Sequence, residues 1–297
     1  MIMGDYPDCF IIGLPKAGTT ALYNILTQSS EVFDCPVKEP NFFLPEGVTP
    51  AGVRNQHDYV GLYSEAKDNK LLSIDASISY AHFPDSLEKI VKVKPDAKFV
   101  IILRRPEKLV LSQYQQMRYG LFEECESFRL AWVDRITNGQ PASGNYQFAR
   151  NYPESGAVGS ILEKVMAVVP SDSLKILIYE EIFSQESKDI IMLSEFLGIQ
   201  PFEFRMKKVN ARKEPASKIV HRLIIKDSWI FKLFRLLVKK IPFISPGHVR
   251  RFYDKKMVKP VDASLSDYGE LEIEKYFEAE KRKVEDLLSK KIPSWWC

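Results

Sequence analysis

Histidine and cysteine are scarce in this chain. Four of each occur in 297 residues, and neither type is spaced for metal or redox chemistry. There is no C-x-x-C pair and no H-E-x-x-H, and Cys9, Cys35, Cys125 and Cys297 fall at irregular intervals. This excludes a disulfide framework and predicts reduced thiols in a reducing compartment, with no metal site. Also missing is any apolar run approaching the ~18 residues of a membrane span, so no integral membrane segment is expected. The first ten residues, MIMGDYPDCF, carry acids and no basic stretch, unlike a secretory signal. The sequence therefore predicts a cytoplasmic protein. No repeat, low-complexity tract or linker divides it, so residues 1–297 are expected to form a single domain.

What is present is an ordinary globular composition, 45% hydrophobic and 27% charged, able to bury a large core. The net charge of +3 hides an asymmetry. Residues 205–259 hold 17 Lys/Arg against 3 Asp/Glu, a net +14, which leaves −11 for the remainder. Such a block suits an acidic partner (a phosphorylated cofactor, an anionic substrate, nucleic acid or a membrane surface) or simply solvated helix faces. IFKLFRLLVKK (230–240) has a basic amphipathic pattern. No helix-turn-helix or single-strand-binding pattern accompanies it, so a nucleic-acid partner is not expected.

Short apolar runs alternate with helical periodicity. Residues 9–14 (CFIIGL), 71–76 (LLSIDA), 98–103 (KFVIIL) and 174–179 (LKILIY) read as strands. Helices are predicted from residue 21 and over 107–119, 125–138, 157–169 and 187–199, the last ending at Gly198. The predicted fold is α/β: a P-loop-like parallel sheet flanked by helices, with a core over about 5–215. A helical C-terminal elaboration follows over about 216–297. It is interrupted by Pro242 and Pro246 and closes with a long amphipathic helix over 266–291.

Between the first strand and the first helix lies GLPKAGTT (13–20). Gly13 and Gly18 stand at the spacing of the phosphate loop G-x-x-x-x-G-K-[ST], but Thr19 occupies the lysine position and the lysine, Lys16, lies inside the loop. A glycine turn before a helix aims backbone N–H groups at one point, and the helix dipole adds positive charge. Lys16 contributes a full charge, and Thr19 and Thr20 contribute hydroxyls. A terminal group less charged than a triphosphate can be held there by lysine without a metal.

These residues resemble the 5′-phosphosulfate loop, Pro-Lys-x-Gly-Thr-Thr, of the PAPS-dependent sulfotransferases. The resemblance implies that Lys16, Ala17, Gly18, Thr19 and Thr20 hold the phosphosulfate and that Lys16 stabilises the leaving phosphate oxygen. FVIILRRPEKLVLSQY (99–114) resembles the family's 3′-phosphate segment, a strand ending in arginine with a serine eight residues on: Arg104 and Ser112. An arginine fork suits a phosphate dianion, and Pro106 suits the first turn of the next helix. VKEPNFF (37–43) resembles the K-E-x-x-F-F segment of the branch that includes the heparan sulfate enzymes, which implies Glu39 as catalytic base with Lys38 beside it and Phe42 as a pocket wall.

Other stretches fit less closely. The aryl branch uses a histidine in a segment absent here, and His57, His82, His221 and His248 lie in no motif. SIDASISY (73–80) falls where that branch carries Glu-Lys-[ST]-x-x-Tyr, with Asp75 either a second active-site carboxylate contacting substrate or a cap on the strand end. NARKEP (210–215) offers Arg212 and Lys213 as counterparts of the family's closing loop, without its glycine. The tryptophan that follows the first loop in the aryl branch is absent; Leu22 and Tyr23 stand nearby, and Tyr179 is a candidate adenine contact.

The implied activity is sulfonyl transfer from PAPS to a hydroxyl or amine of a small-molecule acceptor, as in bacterial natural-product tailoring. A carbohydrate or carrier-protein-bound acceptor is the alternative within the family. A P-loop kinase is the rival outside it, supported by the Walker-B-like LLSID (71–75) and opposed by Thr19 in the lysine position.

Overall fold

The structure, a computed structural model, describes residues 6–49, 52–139, 147–183, 188–205, 213–215, 258–260 and 270–296. Its centre is a four-stranded sheet of β1 (Cys9–Gly13), β2 (Ile74–Asp75), β3 (Lys98–Leu103) and β4 (Leu174–Ile178). The spatial order is β2-β1-β3-β4 and every pairing is parallel. β1 is buried along its whole length, and β3 at every residue after Lys98. Both strands therefore need cover on two faces, which is why their sequences run apolar rather than alternating.

The cover comes from helices. α1 (Thr19–Leu26) follows β1; α2 (Gln56–Gly61) and α3 (Ser64–Asp68) precede β2; α4 (Pro84–Val93) precedes β3. α5 (Pro106–Tyr119), α6 (Phe128–Asn138), α7 (Gln147–Arg150), α8 (Tyr152–Ser155) and α9 (Val158–Val168) lead to β4. α10 (Tyr179–Ile182) and α11 (Lys188–Leu197) come next, then a two-stranded antiparallel pair, β5 (Lys213–Pro215) with β6 (Val258–Pro260), and finally α12 (Glu270–Tyr276) and α13 (Glu278–Leu288). The predicted α/β class and parallel sheet are thus what the chain forms.

Three elements differ from expectation. Only Ile74 and Asp75 of the predicted strand 71–76 join β1. Leu72 is instead taken up by the 31–33 segment: its N–H donates to Glu31 O (2.8 Å) and its carbonyl accepts from Phe33 N (3.0 Å). The run 210–215, read as loop, contributes β5. In the C-terminal region the predicted single helix is two, broken at Phe277, whose φ and ψ are −90° and 3°. The ring of Phe277 turns fully inward against Trp132, centroids 5.4 Å apart. It fills the space over Gly156, where a Cβ would lie 2.3 Å from the ring. Burying a phenylalanine contributes about 1.5–3 kcal/mol, enough to outweigh one broken helical turn. α13 then docks on α9 through Glu280, which accepts from Ser160 N and Ser160 Oγ, each at 2.8 Å.

Candidate active site

A parallel sheet delivers the residue after each strand to the same edge. Here β1 delivers the 13–20 loop, β3 Arg104 and β4 Tyr179, while β2 stops lower, at the level of Phe10. The loop leaves β1 at Gly13 and tightens through an Ala17 N–H to Leu14 O bond of 3.1 Å. Lys16 and Gly18 are both left-handed, with φ of 72° and 95°. For a lysine that conformation costs about 1–2 kcal/mol, strain of the kind found where backbone is shaped for a ligand. At Gly18 a side chain is excluded twice over, by φ and by space: a Cβ would lie 2.7 Å from the Tyr179 ring. Gly18 caps α1, its carbonyl accepting from Ala21 N and Leu22 N. The first N–H groups of the helix have no intrahelical acceptor, so they are donors for an anion. Thr19 is buried and Thr20 half-buried at this turn.

Strand register explains the second part of the site. Leu103 pairs with Ile178, so Arg104 and Tyr179, each one residue further, emerge side by side. The Arg104 guanidinium lies 4.3 Å over the Tyr179 ring, and its Nη1 donates to Lys16 O at 2.7 Å. One side chain thereby ties the end of β3 and the start of α10 to the crown of the loop. Burial, and secondarily the charge of Arg104, pushes the Lys16 ammonium below its ordinary pKa. Among the described residues Lys16 forms no ion pair. Two cations converge where the loop amides also point, and the donor set is one that binds an anion.

The next residue, Arg105, turns the opposite way, as alternation requires. It pairs with buried Glu107 and with Glu274 of α12. Its N–H donates to Glu180 Oε1 (3.1 Å), whose other oxygen accepts from the Trp295 indole at 2.9 Å. The C-terminal helices are thus pinned behind the Arg104–Tyr179 edge.

Glu39 lies on the segment between α1 and α2. Its carboxylate is exposed and pairs with Lys38 Nζ at 2.8 Å. Lys38 Nζ also sits 5.8 Å over Tyr23, one turn into α1, and the Tyr23 hydroxyl accepts from Cys35 N at 2.9 Å. These contacts fasten the 34–38 segment to the helix that follows the phosphate-type loop. Phe42 is half-buried and stacks on Tyr59 with centroids 4.4 Å apart.

Asp75 is the last residue of β2, and its carboxylate caps the strand end through the N–H of Ser77. It pairs in register with Phe10, well below the end of β1, and is fully buried. Tyr59 Oη (2.7 Å) and Tyr80 Oη (3.1 Å) donate to its Oδ2, and Ser77 N (2.8 Å) donates to Oδ1. Burial raises its pKa to about 6, against the hydrogen bonds of Ser77, Tyr59 and Tyr80, which favour the ionised form. Ser112 is half-buried on α5. Arg212 lies outside the described residues, as does nearly all of the basic 205–259 block; the backbone of Lys213 is in β5, its side chain outside. No helix among the described residues is long and apolar enough to cross a membrane. Nor, among them, are three or more His, Cys, Asp or Glu grouped to hold a metal ion.

Two features of the edge had no signature in the sequence. Phe183 packs with Tyr179 over Gly18, and Tyr59 reaches Asp75 from 16 residues away. Both depend on tertiary placement rather than on local spacing.

Comparison with known proteins gives a consistent picture. Residues 6–228 match the family model described as "Sulfotransferase domain". A sulfotransferase structure from Alicyclobacillus acidocaldarius superposes with a TM-score of 0.68 at 18% identity, covering 98% of this chain and 99% of that one. The sulfotransferase domain of the Synechococcus PCC 7002 olefin synthase aligns at 16% identity, covering 91% and 94%, with a TM-score of 0.48. The sulfotransferase domain of the curacin biosynthetic pathway aligns at 15% identity, covering 98% and 100%, with a TM-score of 0.46. No curated protein sequence matches the chain.

Proposed function

The chain belongs to the sulfotransferase domain family, and from that premise we propose that it moves the sulfonyl group of PAPS to a hydroxyl or amine of a small-molecule acceptor. The observation that carries this reading is the convergence of Lys16, the loop amides and Arg104 at one edge of the sheet. That donor set fits a phosphosulfate and a second phosphate. PAPS supplies an activated sulfonyl group on a 5′-phosphate leaving group, with a 3′-phosphate as a handle.

Each residue then has a role. Glu39, exposed beside the loop, accepts the acceptor's proton as its oxygen or nitrogen bonds to sulfur. The bond between sulfur and the bridging phosphate oxygen breaks, and its electron pair stays on that oxygen. Lys16 and the amides and hydroxyls of Gly18, Thr19 and Thr20 stabilise the charge developing there, which is electrostatic preorganisation. Arg104 and Ser112 bind the 3′-phosphate, with Arg212 and Lys213 closing over it, and Tyr179 offers its ring to the adenine. Lys38 pairs with Glu39 and aims it, and Phe42 forms a wall of the acceptor pocket. The segment VKEPNFF favours the glutamate-base branch. A tailoring role on a natural product in the cytoplasm is the setting this reading favours, and the 1–297 chain acts as one domain.

The test is transfer of label from sulfur-labelled PAPS to a panel of phenols, alcohols and amines, without added metal. Wild type labels at least one class. Glu39→Gln labels none while still binding adenosine 3′,5′-bisphosphate. Equal labelling by the two proteins would remove Glu39 as base.

A further inference from the structure

A loop bearing a catalytic base has to be held, and three of the ties around Glu39 run to one short stretch. Ala76 N donates to Lys38 O (3.2 Å), Asn41 N to Ser77 Oγ (2.8 Å), and Phe43 N to Tyr80 Oη (3.3 Å). Asn41 is itself left-handed, φ 54°, and its amide side chain donates to Glu39 O at 2.9 Å. Residues 38, 39, 41 and 43 are therefore fixed in sequence, with the Glu39 side chain left outside. Two of these ties end on hydroxyls, and a hydroxyl has one proton. Its lone pairs face a backbone N–H in a fixed orientation when its own proton is committed elsewhere.

The commitment is supplied by Asp75. Tyr80 Oη donates to Asp75 Oδ2 at 3.1 Å, and the Ser77 N–H donates to Asp75 Oδ1 at 2.8 Å. We propose that Asp75 is a positioning residue for Glu39: by accepting from Tyr80 Oη it turns that hydroxyl into a fixed acceptor for the amide of Phe43, and by accepting from Ser77 N it holds in place the residue whose hydroxyl receives the amide of Asn41. An ionised carboxylate only accepts, so it sets the direction of the Tyr80 relay and keeps the Ser77 N–H paired. A protonated or amidated Asp75 can donate instead, and the direction is lost. This inference rests on Glu39 being the base; it adds what keeps that base in place.

The groups facing Asp75 are Tyr59 from α2, Tyr63 between α2 and α3, Tyr80 and Ser77 after β2, Cys35 from the 31–38 segment and Cys9 from β1. No Lys or Arg among the described residues forms an ion pair with it. Burial holds the tyrosine hydroxyls and both thiols in their neutral forms. In the weakly acidic range Asp75, whose pKa is pushed up to about 6, is thus the group of this cluster that changes charge.

Amide hydrogen exchange over residues 37–44 of the full chain tests the proposal and needs no acceptor. In wild type, after correction for intrinsic rates, protection at Asn41 and Phe43 should be about tenfold lower at pH 5 than at pH 8, the loss expected for one neutral hydrogen bond. Asp75→Asn should show the lower protection at both pH values, with β1 and β3 unchanged. Tyr80→Phe, which keeps the ring and removes one relay, should release Phe43 and not Asn41. Equal protection in wild type and both variants would overturn the proposal. So would a loss spread evenly through β1 and β3, because that is general destabilisation. Glu39→Gln separates the two layers: it should abolish transfer and leave exchange unchanged, and if it transfers normally the base assignment fails while the exchange result stands.

Discussion

The two flanks of the site are built by different means. On the side of β1, β3 and β4, the backbone makes the site: two left-handed residues, one of them a glycine with no room for a side chain, and one arginine that reaches across to a loop carbonyl. On the side of β2, side chains make it: a buried carboxylate, three hydroxyls and a ring stack hold an exposed glutamate in place. Backbone-built sites demand particular residues at fixed local spacing, since only glycine tolerates both the dihedral and the contact at position 18. Side-chain networks accept many solutions, provided that donors and acceptors balance.

That difference sets the sizes of the effects expected on mutation. Gly18→Ala forces a Cβ into the Tyr179 ring and should bring adenosine 3′,5′-bisphosphate binding below detection by calorimetry, with the fold intact by circular dichroism. Glu39→Gln should lower kcat by about 10²–10⁴-fold with the cofactor Kd unchanged, as expected for loss of a general base. Arg104→Ala loses a charge-assisted hydrogen bond and the brace on Lys16 O. It should weaken bisphosphate binding by about 10–100-fold, corresponding to ~1.5–3 kcal/mol. Trp295→Phe removes the bond to Glu180 behind this edge and should lower Tm by about 2–4 °C, with cofactor affinity nearly unchanged. If Trp295→Phe cost as much affinity as Arg104→Ala, the separation between edge and support would be wrong.

A last prediction concerns pH. Asp75 is raised from an ordinary 3.8 to about 6, so the folded state binds this proton more tightly than the unfolded chain. The resulting stability is fully present below the unfolded value and is lost as pH rises through about 6. Asp75→Asn lacks this titration. The Tm of wild type relative to the variant should therefore fall between pH 4 and pH 7, and a constant difference across that range would show that Asp75 does not titrate there.

The same contrast accounts for what could be read in advance. Lys16, Gly18 and Thr19 are adjacent in sequence and in space, and the strand–loop–helix order around them was legible from apolar runs. Arg104 was legible because it ends a strand, and its contact with Tyr179 follows from register. Asp75 was read as a substrate contact or a strand cap; in the folded chain it caps β2 through Ser77 N and is also buried among tyrosines that approach from separate elements. Tyr59 gave no signal, because its bond to Asp75 depends on where α2 packs. The break at Phe277 was hidden for a related reason. Helical periodicity continues through it, and only Gly156 makes room for the ring.

The central claim is that the Lys16–Arg104 edge holds a nucleotide bearing a 3′-phosphate. It is tested most directly by titrating adenosine 3′,5′-bisphosphate into wild type, Lys16→Ala and Arg104→Ala by calorimetry without metal. Micromolar or tighter binding by wild type, weakened in both variants, is the result predicted. No binding of the bisphosphate, with ATP bound instead and only when Mg²⁺ is added, would contradict it.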